Sequence, residues 1–314
     1  MVKRFVFTSL ILCLSVCALF AAGKKDAGTN NGKLKVVTVN FPPYDFVRAI
    51  AGDKVNLTML LPPGAESHSF DPAPKDILTI QNCDVFIYTG GESDAWVDRI
   101  LESMDVSKKK IVRMMDAVDA VEEEIVEGMQ AEEEEEEGAA YDEHVWTSPK
   151  NAVRIVRAIT AALCGVDAVN AALFRTNADA YIKSLEELDR EFQAIAAGAN
   201  RKTLVFGDRF PFRYFADAYG LTYFAAFPGC STETEPSAAT VAFLIGKIKA
   251  EKIPAVFYIE LSNEKMADAI AAETGAKKLL LHACHNISKK DFESGLTFLE
   301  IQKANVPRLK EALQ

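Results

Sequence analysis

Short apolar runs alternate with stretches of helical periodicity along most of this chain, and they do so in two separate series. Residues 34–40, 55–61, 84–89 and 111–115 form the first series of strand-like runs, and residues 203–207, 222–227, 255–260 and 278–282 the second. Each is rich in β-branched, aromatic or aliphatic residues, the signature of a strand. Helical segments such as 236–250 and 264–273 lie between them, so each half predicts repeated βα units around a mainly parallel sheet. Ser148-Pro149 reads as an N-cap and first-turn pair opening one helix. After Gly165 a second helix runs to about Ala197, with Phe174, Ala178, Tyr181, Leu185, Leu188, Phe192 and Ile195 recurring at steps of four and three. A helix of that length covers about 45 Å, enough to lie along both halves. The pattern predicts an α/β fold: two (βα)-type lobes, at residues 34–148 and 199–314, joined by linking helices at 149–198 that form a long rigid backbone. A coiled coil with a partner is the competing reading, but only one such stretch exists. An intramolecular spine would restrict hinge opening.

The first residues, MVKRFVFTSLILCLSVCALFAAGKKD, place basic residues before an apolar run and then small and polar residues. This is the layout of a secretory signal, too short for a stable membrane span. Residues 1–23 are read so, with Cys17 as a lipidation candidate and Ala21-Ala22-Gly23 as the ordinary cleavage alternative. The mature chain is then expected across the inner membrane, periplasmic or anchored as a lipoprotein. Its net charge of −10 is concentrated: residues 122–143 carry twelve carboxylates and no Lys or Arg. The remainder is nearly neutral and has no basic stripe, which argues against nucleic acid as a partner. The acidic loop, 121–143, reads as a solvated insert whose carboxylates raise the local concentration of divalent cations. Outside the signal lie Cys83, Cys164, Cys230 and Cys284. A Cys230–Cys284 disulfide is expected, because both follow predicted strands of the same half in an oxidising compartment.

Four histidines remain to be explained. His68 sits on a Pro/Gly-punctuated loop after a predicted strand, His144 precedes a helix start, and His282 and His285 follow the last strand. In parallel sheets such loops gather at the carboxyl edge, where α/β lobes bind ligands. Neutral imidazole is the commonest protein ligand for zinc. No HExxH, CxxC or His-x-His spacing is present, so a metal site would have to be assembled by the fold. Tyr44, Trp96, Trp146 and Phe212 near these loops read as packing, or as apolar walls that exclude water from an ion.

Four stretches carry a family resemblance: LLPPGAESHSFDPAPKD; the acidic insert followed by DEHVWTSP; FGDRFPFRYFADAYGL; and AETGAKKLLLHACHNIS with the terminal GLTFLEIQKANVPRLKEAL. In their order and spacing the chain from about Lys35 onward resembles the zinc/manganese substrate-binding proteins of ABC transporters, the ZnuA/TroA-like group. The resemblance implies two α/β lobes on a rigid helix with one metal ion between them. It also implies that His68 and His144 are ligands. The family's third ligand, usually His or Glu, falls on Arg209, which cannot serve, so Asp208 is taken as the nearest substitute. The fourth, commonly Asp, is replaced by His285, with His282 in reserve. Three nitrogens and one oxygen suit zinc, whereas a carboxylate-rich six-coordinate site would suit manganese. Arg209 is expected to pair with Asp208 or Glu66.

The resemblance thus implies a monomeric extracytoplasmic receptor that captures Zn2+, or alternatively Mn2+, and delivers the divalent ion to an ABC permease membrane subunit without covalent chemistry. Protonation of the histidines would release the metal at about pH 5. Two other classes are weighed. A surface adhesin lipoprotein is compatible with a lipid at Cys17. A zinc hydrolase would need an open coordination position and Glu143 or Glu66 as general base.

Overall fold

The structure, a computed structural model, describes residues 32–130, 141–231 and 235–314. The signal-like stretch with Cys17 and the glutamates at 132–137 lie outside the described residues. In the first half, β1 (Leu34–Thr38), α1 (Phe41–Ala51), β2 (Val55–Met59), α2 (Pro74–Gln81), β3 (Val85–Tyr88), α3 (Ala95–Glu102) and β4 (Lys110–Arg113) build a parallel sheet of order β2-β1-β3-β4. Val36 pairs with Leu57 on one side and Val85 on the other. Helices cover both faces of this sheet, so all four residues of β3 are buried; that is why the strands read as continuous apolar runs rather than alternating ones.

The second half repeats the plan. After the linking helices come β5 (Thr203–Phe210), α6 (Arg213–Tyr219), β6 (Thr222–Pro228), α7 (Ala238–Glu251), β7 (Ala255–Tyr258), α8 (Lys265–Thr274) and β8 (Lys277–Leu280), in parallel order β6-β5-β7-β8; their order is interrupted in sequence only by loops. All eight strands fall on the eight predicted runs. In each sheet the strand order reverses beside the first strand, which opens a crevice at the carboxyl ends of β1 and β5.

The linking helices are α4 (Pro149–Val166) and α5 (Ala171–Ala197). Ser148 stands at the N-cap of α4, but its side chain makes no capping hydrogen bond; the helix is started by Pro149, whose φ is fixed in the helical range. The 27 residues of α5 span about 40 Å. Along its apolar seam Phe174, Ala178, Ile182 and Leu185 enter the first core, and Leu188, Phe192 and Ala196 enter the second. Tyr181 and Ile195 lie at the seam's edge, half-buried. The last helix, α10, follows the short α9 (Lys289–Glu293) and covers Phe298–Leu313 behind a Thr297/Glu300 capping box. It too spans both cores: Phe298 and Ile301 pack in the first, Leu309, Ala312 and Leu313 in the second. Two helices therefore splint the lobes. No helix among the described residues is long and apolar enough to cross a membrane.

The stem of the acidic loop, though it leaves the first lobe, rests on the second. Val126 and Met129 pack on the second core, and Gln130 donates its N–H to Ala226 O at 3.0 Å, covering part of β6, an edge strand. Tyr214 pins both ends of the loop, accepting from Val121 N–H at 3.2 Å and donating to Asp142 O at 2.8 Å.

The structure corrects the disulfide expectation. Cys230 follows β6 and Cys284 follows β8, which are the two opposite edges of the second sheet. Leaving the same sheet does not by itself bring two side chains together. Both thiols are free. Cys284 is buried against Gln302, whose Nε2 lies 3.3 Å from Sγ, while Cys230 approaches the backbone of Glu143 on the far side.

Candidate metal centre

Three loops bring the site together. The loop after β2 carries His68, the segment before α4 carries His144, and the loop after β8 carries His285. One ligand atom from each lies within 4.8 Å of the others, and the ring centroids are 4.8 to 5.6 Å apart. They line a cavity of about 20 Å³, enough for one or two water-sized bodies.

Each ring is held from behind. His144 Nδ1 is 3.0 Å from Asp142 Oδ1, which also accepts the His144 backbone N–H at 2.7 Å. The carboxylate thereby selects the tautomer that leaves the Nε2 lone pair free. That Nε2 is fully buried and has no partner. A buried polar atom without a partner is costly; an ion at the triad would satisfy it. His68 Nδ1 is 2.8 Å from Ser93 Oγ, again leaving Nε2 for the cavity. His285 is positioned through its backbone: Glu260 accepts from His285 N–H at 2.8 Å and from Ala283 N–H at 2.7 Å. Trp146 stands beside it, ring centroids 5.0 Å apart, and donates Nε1–H to Ala283 O at 2.7 Å. Gly229 lets the loop after β6 close over His144, since a Cβ there would sit 2.9 Å from Phe210 O and 3.1 Å from His144 Cε1.

The electrostatics prepare two rings to stay neutral. Burial, then the charges of His144 and Arg209, bring His68 down to about 3. Burial, then repulsion from a charge on His68 or His144 and from Arg209, holds His285 well below its usual value. His144 goes the other way: burial opposes its charge, but the charge and hydrogen bond of Asp142, with Glu143 and Glu123, raise it above normal. The expected loss of metal at about pH 5 therefore rests on His144 alone, not on all the histidines.

Stitches across the cleft hold the loops together. Asn286 Nδ2 donates to Pro62 O at 2.8 Å and Ala65 O at 2.9 Å, and Gly64 N–H donates to Ile287 O at 2.8 Å. Arg209 at the end of β5 forms a two-pronged pair with Glu66 of the first lobe, at 3.0 and 3.3 Å.

Residues 36–312 match the family described as ZnuA, zinc-uptake complex component A, periplasmic. The chain belongs to the ZnuA family. It is 32% identical to the high-affinity zinc uptake system protein ZnuA of Bacillus subtilis over 98% of this chain and 96% of that one. It is 31% identical to the zinc-binding lipoprotein AdcA of Streptococcus pneumoniae over 96% of its own length, but spans only 60% of AdcA. The crystal structure of the Zn(II)-bound ZnuA-like domain of that AdcA superposes with a TM-score of 0.75 at 29% identity, covering 90% of this chain and 99% of the domain.

Against the ZnuA-family pattern, the structure corrects one substitution. Asp208 does not join the triad. Asp208 and Arg209 are neighbours in a strand, so they point to opposite sides, and a one-residue bulge between Phe206 and Arg209 fixes which side each takes. Arg209 lines the cavity, whereas Asp208 turns back to accept Arg209 N–H at 2.9 Å and Ile259 N–H at 3.3 Å. The Arg209 guanidinium pairs with Glu66, not Asp208. The reserve ligand His282 also stays outside the triad; its Nδ1 accepts Cys284 N–H at 3.0 Å. Between His282 and His285 the backbone at Cys284 is left-handed, φ 65°.

Sequence reading missed Ser93, Asp142, Glu260 and Gly229 as supports. Asp142 carried a usable signal, an acid two residues before a candidate ligand histidine. Glu260 ended a predicted strand, the edge where ligands bind, and was passed over. Of the four aromatics, Trp146 alone stands against a triad histidine; Trp96 and Phe212 fill cores, and Tyr44 packs on Phe292.

Proposed function

We propose that this chain is the extracytoplasmic substrate-binding component of a zinc-uptake ABC transporter, and that His68, His144 and His285 hold the ion. The observation that carries this reading is the convergence of three imidazoles from three distant loops, with the fully buried Nε2 of His144 left without a partner. Zinc favours nitrogen donors in a small, tetrahedral shell, whereas manganese favours oxygen donors. The nearby carboxylates do not supply oxygen: Glu66, Asp142, Asp208 and Glu260 are all engaged by backbone N–H groups. The same engagement, with Glu143 accepting Ser93 N–H at 2.6 Å, supports transport over hydrolysis, since each of these five carboxylates is already hydrogen-bonded.

Capture replaces the ion's water with imidazole, and the Asn286, Gly64 and Arg209–Glu66 contacts close the loops over it. Release to a permease then requires parting these contacts, a change in the loops rather than a wide opening of splinted lobes. The chain acts as a monomer in this reading, and a lipid on Cys17 anchors it to the membrane.

The test is zinc affinity by competition with a chromophoric chelator. His68→Ala, His144→Ala and His285→Ala should each weaken binding by more than the about 10–100-fold that a supporting residue costs, while His282→Ala should change it only a few-fold. Unaltered affinity in any two of the three triad variants would overturn the assignment. Mass analysis of the membrane-extracted protein, with and without Cys17→Ser, tests the lipid.

A further inference from the structure

The triad supplies three ligands, and among the described residues no fourth His, Cys, Asp or Glu joins it. Glu66 is engaged: Oε1 accepts from Ser67 N–H at 3.1 Å, His68 N–H at 3.3 Å and Arg209 Nη1 at 3.3 Å, and Oε2 accepts from Arg209 Nη2 at 3.0 Å. Glu260 is spent on Ala283 and His285, Asp142 on His144, and Asp208 faces away. The cationic side chain on the cavity wall, which also carries Glu66 and Glu260, is Arg209, its side chain 13% exposed. Besides Glu66 it donates Nη1–H to Ser231 O at 3.1 Å. A guanidinium has five N–H donors, so Nε–H and one Nη2–H of Arg209 are left with no hydrogen bond to the described residues.

The carboxylates of Asp142, Glu143 and Glu123 already act on His144, and the Arg209–Glu66 pair is neutral overall. A small anion in the fourth position gives the spare guanidinium donors of Arg209 an acceptor, in the charge-assisted geometry that Arg favours.

Resting on the reading that the triad holds zinc, we propose that this chain binds the metal together with a small monoanion of halide or azide size, seated between the ion and Arg209. Arg209 is then a specificity residue for an ion–anion pair. The cavity of about 20 Å³ has room for the ion and one ligand of about water size.

The test uses cobalt(II), whose visible spectrum reports its ligands, on the full mature chain at pH 7.5. Chloride, azide and benzoate are titrated at ionic strength held constant with perchlorate, and zinc affinity is measured in the same buffers. Chloride and azide should change the cobalt spectrum saturably, benzoate should not, and chloride should tighten zinc binding by about 10-fold, the size of an outer-contact effect. Arg209→Gln should abolish the response and Arg209→Lys should retain part of it. Cobalt bound with a spectrum indifferent to every anion in the wild type would overturn the proposal while leaving the triad standing. Failure of the wild type to bind cobalt or zinc, or binding untouched by His144→Ala, would instead overturn the underlying assignment.

Discussion

Asp142→Asn is the sharpest perturbation of the site short of removing a ligand. Asp142 is 1% exposed and accepts two hydrogen bonds from His144, one from the backbone at 2.7 Å and one at Nδ1, 3.0 Å. The amide can still accept the backbone bond, but it removes the negative charge that raises His144 and no longer fixes the tautomer. Losing such a supporting carboxylate costs about 10–100-fold in metal affinity, or about 1.4–2.7 kcal/mol. The sign of the pH effect follows. Wild-type His144 has a raised proton affinity, so a proton competes with zinc as pH falls through that raised value. In Asp142→Asn the proton binds less well, so the competition sets in at lower pH. The affinity gap between the two proteins should be widest at pH 8 and narrow toward pH 5.5, measured by chelator competition with circular dichroism as a folding control. Equal affinities at pH 8, or a gap that widens on acidification, would refute the argument that Asp142 acts through His144.

Because His68 lies at about 3 and His285 well below normal, the logarithm of the zinc dissociation constant should rise with a slope of one proton, not three, between the raised value of His144 and pH 4; calorimetry in buffers of different ionisation heat counts those protons. Gly229→Ala drives a Cβ to 2.9 Å from Phe210 O and 3.1 Å from His144 Cε1, and should destabilise the fold by about 1–3 kcal/mol and weaken zinc binding, read by thermal melts with and without zinc. Alkylation of the denatured, unreduced mature protein should modify Cys83, Cys164, Cys230 and Cys284 alike, and a mass showing only two modified thiols would restore the disulfide.

What the sequence disclosed follows from what each signal depends on. The strands were legible because both sheet faces are covered, so 85–88 and 204–206 are unbroken apolar runs. The spine was legible because its seam from Phe174 to Phe192 keeps one period while changing from one core to the other. His68, His144 and His285 were legible as residues on loops at a parallel sheet's carboxyl edge, helped by the motifs around them. Asp208 was misplaced because substituting a neighbour ignores that a strand turns consecutive side chains to opposite sides, and the bulge that orients Arg209 inward leaves no mark in composition. Cys230 and Cys284 were wrongly paired because following strands of one sheet does not fix where a thiol turns: Cys284 faces Gln302 and Cys230 the backbone of Glu143. The docking of the acidic loop's stem on β6 depends on single contacts such as Gln130 to Ala226, and no periodicity announces those.

The central claim is that three imidazoles, and no other protein group, grip one zinc ion. A crystal of the zinc-loaded protein with anomalous scattering recorded at the zinc edge tests it most directly. One peak bonded to nitrogens of His68, His144 and His285 at about 2.0–2.1 Å is the predicted result. A peak beside His282 and Glu260, or one that includes an oxygen of Asp208, would contradict it.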